Sequence, residues 1–504
     1  MTVEIEGFRL SPQQRRLWSL SGDGSSPAGR VSAAFRLRGP LEPERLRHAL
    51  RRTVERSEIL RTAFQALPGM DLPLQRITAE PSFELREGEE VEAPFDLLAG
   101  PPLRCALAAL DDGEWRLQVS LPALHADLRS LRLLLREVGR AYDAFPGDSD
   151  GEVVQYVDVS EWLNDLLQDP EGEEGRAFWQ SRLGGPPSQA LPLVKTAGAV
   201  PFAPYSIPLP GAATAVKRVW AATGASLATV LLAALGTLAW RLGGGSEPRL
   251  GRIFDGRSVE GLGEGLGLFA RCLPVECRID GDLTFRSLLA EMAAAEDAAG
   301  AWQELFPSEP EQSALADFQV EVEDWPDEPF AAGVEARLER LYGCAEPFVL
   351  KAMALRRDGR LDLDLLYDSA RLGPEHASRL ASCLAAVLAS TAADPDARLR
   401  DLDILSREEQ RAILLEGAGP QVERPEVCVH HLFAGQAART PAAEAVVFRD
   451  KSLVFEELER RANKLARHLH GLGVAPDVPV GLCLDRSADL LVALLAIWKA
   501  GGAY

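Results

Sequence analysis

Hydrophobic positions along the chain recur with two periods that alternate. At 115–121, Trp115, Leu117, Val119 and Leu121 alternate with Arg116, Gln118 and Ser120, the period of a half-buried strand. At 128–142, Leu131, Leu134, Leu135 and Val138 form one helical stripe, and Asp127 stands where an N-cap belongs. The spacing predicts further helices over 41–60, with Leu46, Leu50 and Val54 in step, and over 226–242, 284–299 and 375–393. Strands are expected over 31–38, 103–110 and 273–279, and a strand pair over 348–367 turns at Asp358-Gly359. Ser11-Pro12 reads as an N-cap and a first helical residue. The acidic stretch 171–174 reads as a loop, and the Gly/Pro/Ser-rich stretch 184–189 as a connection between two lobes.

Beyond a linker at 400–426 a new unit opens. It reads as a strand (445–448), a turn at Asp450-Lys451, a helix (455–472), a strand (480–484) and a helix (487–499). That order suits the opening of a larger α/β domain, ending here directly after an apolar helix and two glycines.

The length of 504 residues suits three or four domain-sized units, and 46% hydrophobic with 26% charged residues supplies soluble cores. A net charge of −21 argues against nucleic acid or an anionic membrane face as the main partner. Arginine outnumbers lysine 48 to 6, which reads as coding bias, not as a site. The seven cysteines include no CxxC pair, so neither a disulfide framework nor a thiolate zinc site is expected, and a reducing cytoplasm is the simpler setting. The N-terminus lacks the pattern of a secretory signal, and the longest apolar run, 226–240, is too short to span a bilayer.

Five segments then point one way: SPQQRRLWSL (11–20), RSEILRTAF (56–64), YVDVSEW (156–162), GLFARCLP (267–274) and LDLDLLYDSAR (361–371). In this order they resemble the successive motifs of condensation domains in nonribosomal peptide synthetases, over roughly residues 5 to 415. Leu453-Val454-Phe455-Glu456-Glu457-Leu458 and Lys499-Ala500-Gly501-Gly502-Ala503-Tyr504 resemble the first two core motifs of an adenylation domain. The phosphate-binding loop and aminoacyl pocket of that family lie further on than this sequence, so no adenylation is expected of it. The resemblance implies an α/β (α+β) fold of two chloramphenicol-acetyltransferase-like lobes, a V-shaped pseudo-dimer with a tunnel between them, plus a small α/β fragment. The expected division is 1–183 for the N-lobe, 184–399 for the C-lobe, 400–426 for the linker and 427–504 for the adenylation fragment.

The hallmark of that family is His-His-x-x-x-Asp-Gly, its second His facing the tunnel as proton acceptor or orienter of the attacking amine. Here the corresponding stretch is Pro122-Ala123-Leu124-His125-Ala126-Asp127-Leu128. Ala123 occupies the place of the lost base, and only Asp127 survives. If the backbone stays extended, His125 shares a face with Ala123 and presents its imidazole from a shifted position; otherwise it is a hydrogen-bonded loop histidine facing away. Asp127 is expected to be structural, held by an ion pair. Its family partner falls near Glu276, an acid, so Arg278 is the substitute, with Arg271 as a second possibility. Arg271 stands where the family has Asn and is, with Arg278 and Ser130, a tunnel candidate. It either binds an anion or is a solvated arginine between the lobes. His430-His431 is expected to be surface. Gly261 to Gly267 reads as a flexible loop and Cys272 as a core residue.

The implied activity is transfer of a carrier-bound acyl or peptidyl thioester to a carrier-bound amine, forming an amide in a site that lacks the usual His. The alternative is an inactive platform that docks or gates carrier proteins and supports the adenylation domain. A tunnel plugged by side chains would favour the platform. No cofactor or metal is expected on the chain itself. The 4'-phosphopantetheine arms belong to upstream and downstream carrier proteins, the upstream one arriving in trans if Met1 is the native start. Expected partners are those carriers and the chain's own adenylation domain, with no nucleic acid and no membrane.

Overall fold

The computed structural model describes residues 7–21, 29–67, 69–88, 93–110, 113–144, 153–183, 194, 204–209, 211–243, 245–248, 250–307, 316–343, 346–419 and 426–504. The expected connection at 184–189 lies outside them. The chain forms two units, Met1–Arg411 and Ala412–Tyr504.

The first unit contains two six-stranded sheets. In the first, the order is Pro329–Ala331, Val334–Gly343, Arg30–Arg38, Trp115–Pro122, Arg104–Ala109 and Glu84–Glu87. In the second it is Pro204–Pro208, Arg360–Asp368, Leu350–Arg357, Phe318–Asp324, Leu250–Phe254 and Arg271–Val275. Each sheet carries its own apolar core: Phe35, Leu46, Leu117 and Leu131 in one, Leu231, Phe285, Val320 and Leu384 in the other. The helix Leu227–Arg241 is buried nearly all round inside the second core, which explains why its apolar residues fall on every face. No single helix among the described residues is long and apolar enough to cross a membrane.

Two segments depart from expectation. The strands Pro329–Ala331 and Val334–Gly343 fall within the expected C-lobe range 184–399 but pair into the first sheet, with Val31 opposite Gly343. A bulge between Ala34 and Phe35 lets Arg340 and Leu338 face them with Glu339 between. The crossing is anchored by the buried Lys351, whose Nζ donates to Glu321 at 2.6 Å and to the Gly343 carbonyl at 2.9 Å. The acidic stretch 171–174 is not a loop: a 3-10 turn at Pro170–Gly172 runs into the helix Glu173–Leu183, where acidic residues suit the first turn.

The second unit packs the helices Phe455–Gly471 and Ala488–Lys499 through Leu458, Ala462, Val492 and Leu495, beside a hairpin of Glu444–Phe448 and Lys451–Val454. The strand expected over 480–484 does not form; a single parallel bridge joins Pro479 to Ala503.

One close approach holds the crossing strands against the first sheet's helix Leu128–Asp143. A Cβ built on Gly139 would lie 1.7 Å from the Phe330 carbonyl oxygen. Helix propensity alone favours Ala over Gly by about 1 kcal/mol. The contact reverses that sign: Gly139→Ala is expected to lower unfolding free energy by about 1–3 kcal/mol. Denaturant unfolding followed by tryptophan fluorescence measures this, and unchanged or increased stability would show that helix and strand can part at no cost.

Candidate functional site

The strand Trp115–Pro122 delivers the motif loop to the junction of the two sheets. The backbone does not stay extended there. The His125 amide donates to the Pro122 carbonyl at 2.9 Å, closing a turn, while the Ala123 amide donates to Gly29 at 2.9 Å. This turn decides where His125 goes. Its Nε2–H donates to the Thr62 carbonyl at 2.8 Å, and its ring meets Phe64 edge-on with centroids 5.1 Å apart. The side chain is 1% exposed, and its Nδ1 has no partner among the described residues. His125 therefore faces the first core, not a space between the lobes. Burial pushes its pKa down to about 4, partly opposed by the bond to Thr62, so the ring is neutral at pH 7.

Asp127 caps the helix Leu128–Asp143 by accepting from the Ser130 amide at 2.8 Å. Its basic partner is neither Arg278 nor Arg271. It is Arg257, whose Nη1 and Nη2 reach the two carboxylate oxygens at 2.9 and 3.0 Å. The same carboxylate accepts the Phe269 and Ala270 amides at 2.9 and 3.0 Å. Burial alone would raise the Asp127 pKa; the charge and bonds of Arg257, with those of Ser130, outweigh it and hold the pKa below its ordinary value. The guanidinium of Arg257 is fully buried, 4.2 Å over the Phe269 ring, with Asp255 as a second carboxylate at 2.7 Å. Gly256 makes this possible: its φ is +72° and a Cβ there would strike the Phe269 carbonyl at 2.1 Å.

Ser130 faces this clamp. Its Oγ lies 2.7 Å from both Asp127 Oδ1 and the Gly267 carbonyl, and accepts from Arg257 Nη2 at 2.8 Å. Arg271 is 5% exposed and turned away from solvent, donating to the Gln303 carbonyl. Its Nη2 and Nε lie 2.9 and 3.2 Å from the side-chain oxygen of Gln13, in the amide orientation that satisfies both residues. Burial lowers its pKa to about 10. Arg278 is exposed and lies past the end of its strand at Val275, and Glu276 sits 3.6 Å from Arg182 instead. Cys272 is buried, and burial raises its thiol pKa well above the ordinary value.

Sequence reading missed Arg257, whose one signal was Asp-Gly-Arg just after a strand. It also missed how the quoted motifs converge. Ser11 Oγ meets Tyr156 Oη at 2.8 Å, and that hydroxyl donates to the Leu268 carbonyl. Gln14 donates to the Leu124 carbonyl at 2.9 Å, and Gly267 leaves room for the Tyr156 ring. A void of about 20 Å³, room for one water, lies beside Gln13, Arg16, Arg271 and Glu346, and a larger cleft of about 640 Å³ opens between the first sheet's Val334–Gly343 strand and the second sheet, lined by Leu338, Tyr342, Met353 and Leu366.

This packing makes the buried pair and the buried imidazole testable. Removing one partner of a buried pair strands the other charge, so Asp127→Asn is expected to cost about 3–5 kcal/mol. The double variant Asp127→Asn with Arg257→Leu is expected to be less destabilised than the two single losses added; simple additivity would mean the charges are uncoupled. His125 adds a pH dependence. Its folded pKa of about 4 lies below the unfolded value near 6.5, so its stabilisation is full above pH 6.5 and falls as pH drops towards 4. Between pH 7 and pH 5, unfolding free energy should fall by about 2 kcal/mol more in the native chain than in His125→Gln. Equal losses in both would place the imidazole in water.

Residues 5–414 match the condensation domain family, and residues 433–504 match the AMP-binding enzyme family. A dimodular nonribosomal peptide synthase of Bacillus subtilis (strain 168) is 31% identical, over 99% of this chain and 23% of that protein. Phosphinothricin tripeptide synthetase PhsC of Streptomyces viridochromogenes is 31% identical, over 98% of this chain and 49% of its own length. The chain thus spans under half the length of either relative. Holo-AB3403, a four-domain nonribosomal peptide synthetase solved with AMP and glycine, superposes with a TM-score of 0.74 at 18% identity, over 99% of this chain and 41% of that one. The X-domain from teicoplanin biosynthesis superposes with a TM-score of 0.67 at 26% identity, over 80% of this chain and 99% of that one. The two sheets with their helices are the paired chloramphenicol-acetyltransferase-like lobes of such domains. The chain belongs to the condensation domain family of nonribosomal peptide synthetases, and runs on into the start of an AMP-binding domain.

Proposed function

We propose that this domain joins a carrier-bound acyl or peptidyl thioester to a carrier-bound amine by positioning the two, without a side-chain base in the motif loop. One observation carries this reading: Ala123 has no polar side-chain atom, and the imidazole of His125 is spent on Thr62 inside the core. The amine attacks the thioester carbonyl, the C–N bond forms, and the C–S bond breaks to release the phosphopantetheine thiol. The amine proton leaves to solvent or to that thiolate. An α-amine has a pKa of about 7.7–8.0, so much of it is already neutral near pH 7.5. Holding the reactants together contributes up to about 7–11 kcal/mol, whereas a general base adds about 10²–10⁴ in rate. Losing the base therefore slows condensation without abolishing it.

The 4'-phosphopantetheine arms would come from an upstream and a downstream carrier protein in the cytoplasm, and the adenylation domain that begins at 427 would supply the acceptor.

A second reading, a non-catalytic platform, is favoured by the burial of Ala123, Leu268 and Arg271. The teicoplanin X-domain, which this fold resembles, has been solved in complex with OxyB. A partner protein seated on the outer surface of the lobes would fit this reading.

Single-turnover mass spectrometry with two loaded carriers separates the readings. Condensation above the enzyme-free control is expected, with His125→Gln within about threefold of the native rate. The pH–rate profile should follow the amine alone. Glu323 makes the informative control: it is half-buried, and burial with the charges of Glu321, Asp127 and Asp255 raises its carboxyl pKa well above the ordinary value. An inflection that disappears in Glu323→Gln would contradict the base-free reading. No condensation above the control, with carrier binding intact, would leave the platform.

A further inference from the structure

The second unit carries a cluster that none of this chemistry uses. Cys428, His430 and His431 each bring one ligand atom to within 4.8 Å of the other two. The arrangement follows from the helix start. Cys428 caps the helix Val429–Arg439, and its carbonyl accepts the His431 amide at 2.9 Å. This folds the residue before the helix back over its first turn. The two imidazole rings lie 4.3 Å apart, tilted by 56°. Cys428 and His431 are exposed and His430 is half-buried, so the cluster opens to solvent. The charges of Lys499 and Glu459 both reach His430, but they are paired with each other at 2.6 Å, so the surroundings are nearly neutral.

We infer that Cys428, His430 and His431 bind a borderline transition metal ion, with zinc(II) the best-fitting class. One thiolate and two imidazoles suit zinc(II) or cobalt(II), and the set offers none of the oxygen ligands that magnesium or calcium demands. With bonds of about 2.0–2.3 Å, a tetrahedral centre sets its ligand atoms about 3.3–3.6 Å apart. Binding therefore requires the three side chains to rotate inward from the present spacing of up to 4.8 Å. The fourth position stays with water. Binding converts the thiol to a metal thiolate and releases its proton to solvent. No step of the proposed condensation uses these three residues.

Cobalt(II) titration of the full chain, with reductant and without oxygen, tests this. The expected result is one cobalt per chain, with a sulfur-to-metal charge-transfer band and the d–d bands of tetrahedral cobalt, both bleached by added zinc(II). Cys428→Ser should abolish the charge-transfer band, and His431→Ala should weaken binding at least about tenfold, since each removes one of three ligands. Cys483→Ser, which removes the other exposed cysteine among the described residues, should change neither. Circular dichroism checks that each variant is folded. No charge-transfer band, a band that survives Cys428→Ser, a band lost in Cys483→Ser, or one metal per two chains would each overturn the proposal.

Discussion

The buried pair of Asp127 and Arg257 is the contact on which the lobe junction depends. A guanidinium with no solvent exposure is costly unless its charge and donors are matched, and here two carboxylates and a carbonyl match them. Asp127 does more than neutralise it. One carboxylate caps a helix of the first lobe, pairs with an arginine of the second and accepts two amides from the segment leading into Arg271–Val275. Helix start, loop and strand are thereby fixed relative to one another. Asp127 is therefore the residue of this loop whose loss would dismantle the junction.

The loop that follows the strand Trp115–Pro122 is committed to packing. Pro122 ends the strand, residues 123–125 turn, and the imidazole swings into the core against Phe64 and Thr62. A ring placed there is neutral and dry, which suits a core and not a proton relay. Arg271 is likewise absorbed by packing, held by the Gln303 carbonyl and the Gln13 side chain.

Much of this architecture was legible in the sequence. The alternation at Trp115–Leu121, the stripe of Leu131, Leu134 and Val138, and the order of five motifs point to the right elements and family. The rest was hidden for physical reasons. The strand Val334–Gly343 has a bulge and a run of charged residues, because Glu339 faces Arg36 and Arg116 on the solvated face of the sheet, so no clean period marks it. Arg257 lies in a loop, where periodicity carries no signal, and its position depends on the positive φ of Gly256. The direction of His125 turned on one hydrogen bond, from its amide to Pro122, that exchanges one face for the other. The strand expected at 480–484 had the right composition but no neighbouring ladder to join.

The core placement of His125 leaves its ring no part in proton exchange near neutral pH. The most direct test is the titration of the His125 imidazole by NMR, on chain labelled at histidine and assigned with His125→Gln. The expected result is a neutral ring protonated at Nε2 from pH 7.5 down to about pH 5, with its titration near 4. A His125 that titrates near the ordinary value of about 6.5 would place the ring in water and return it to the reaction as the displaced base.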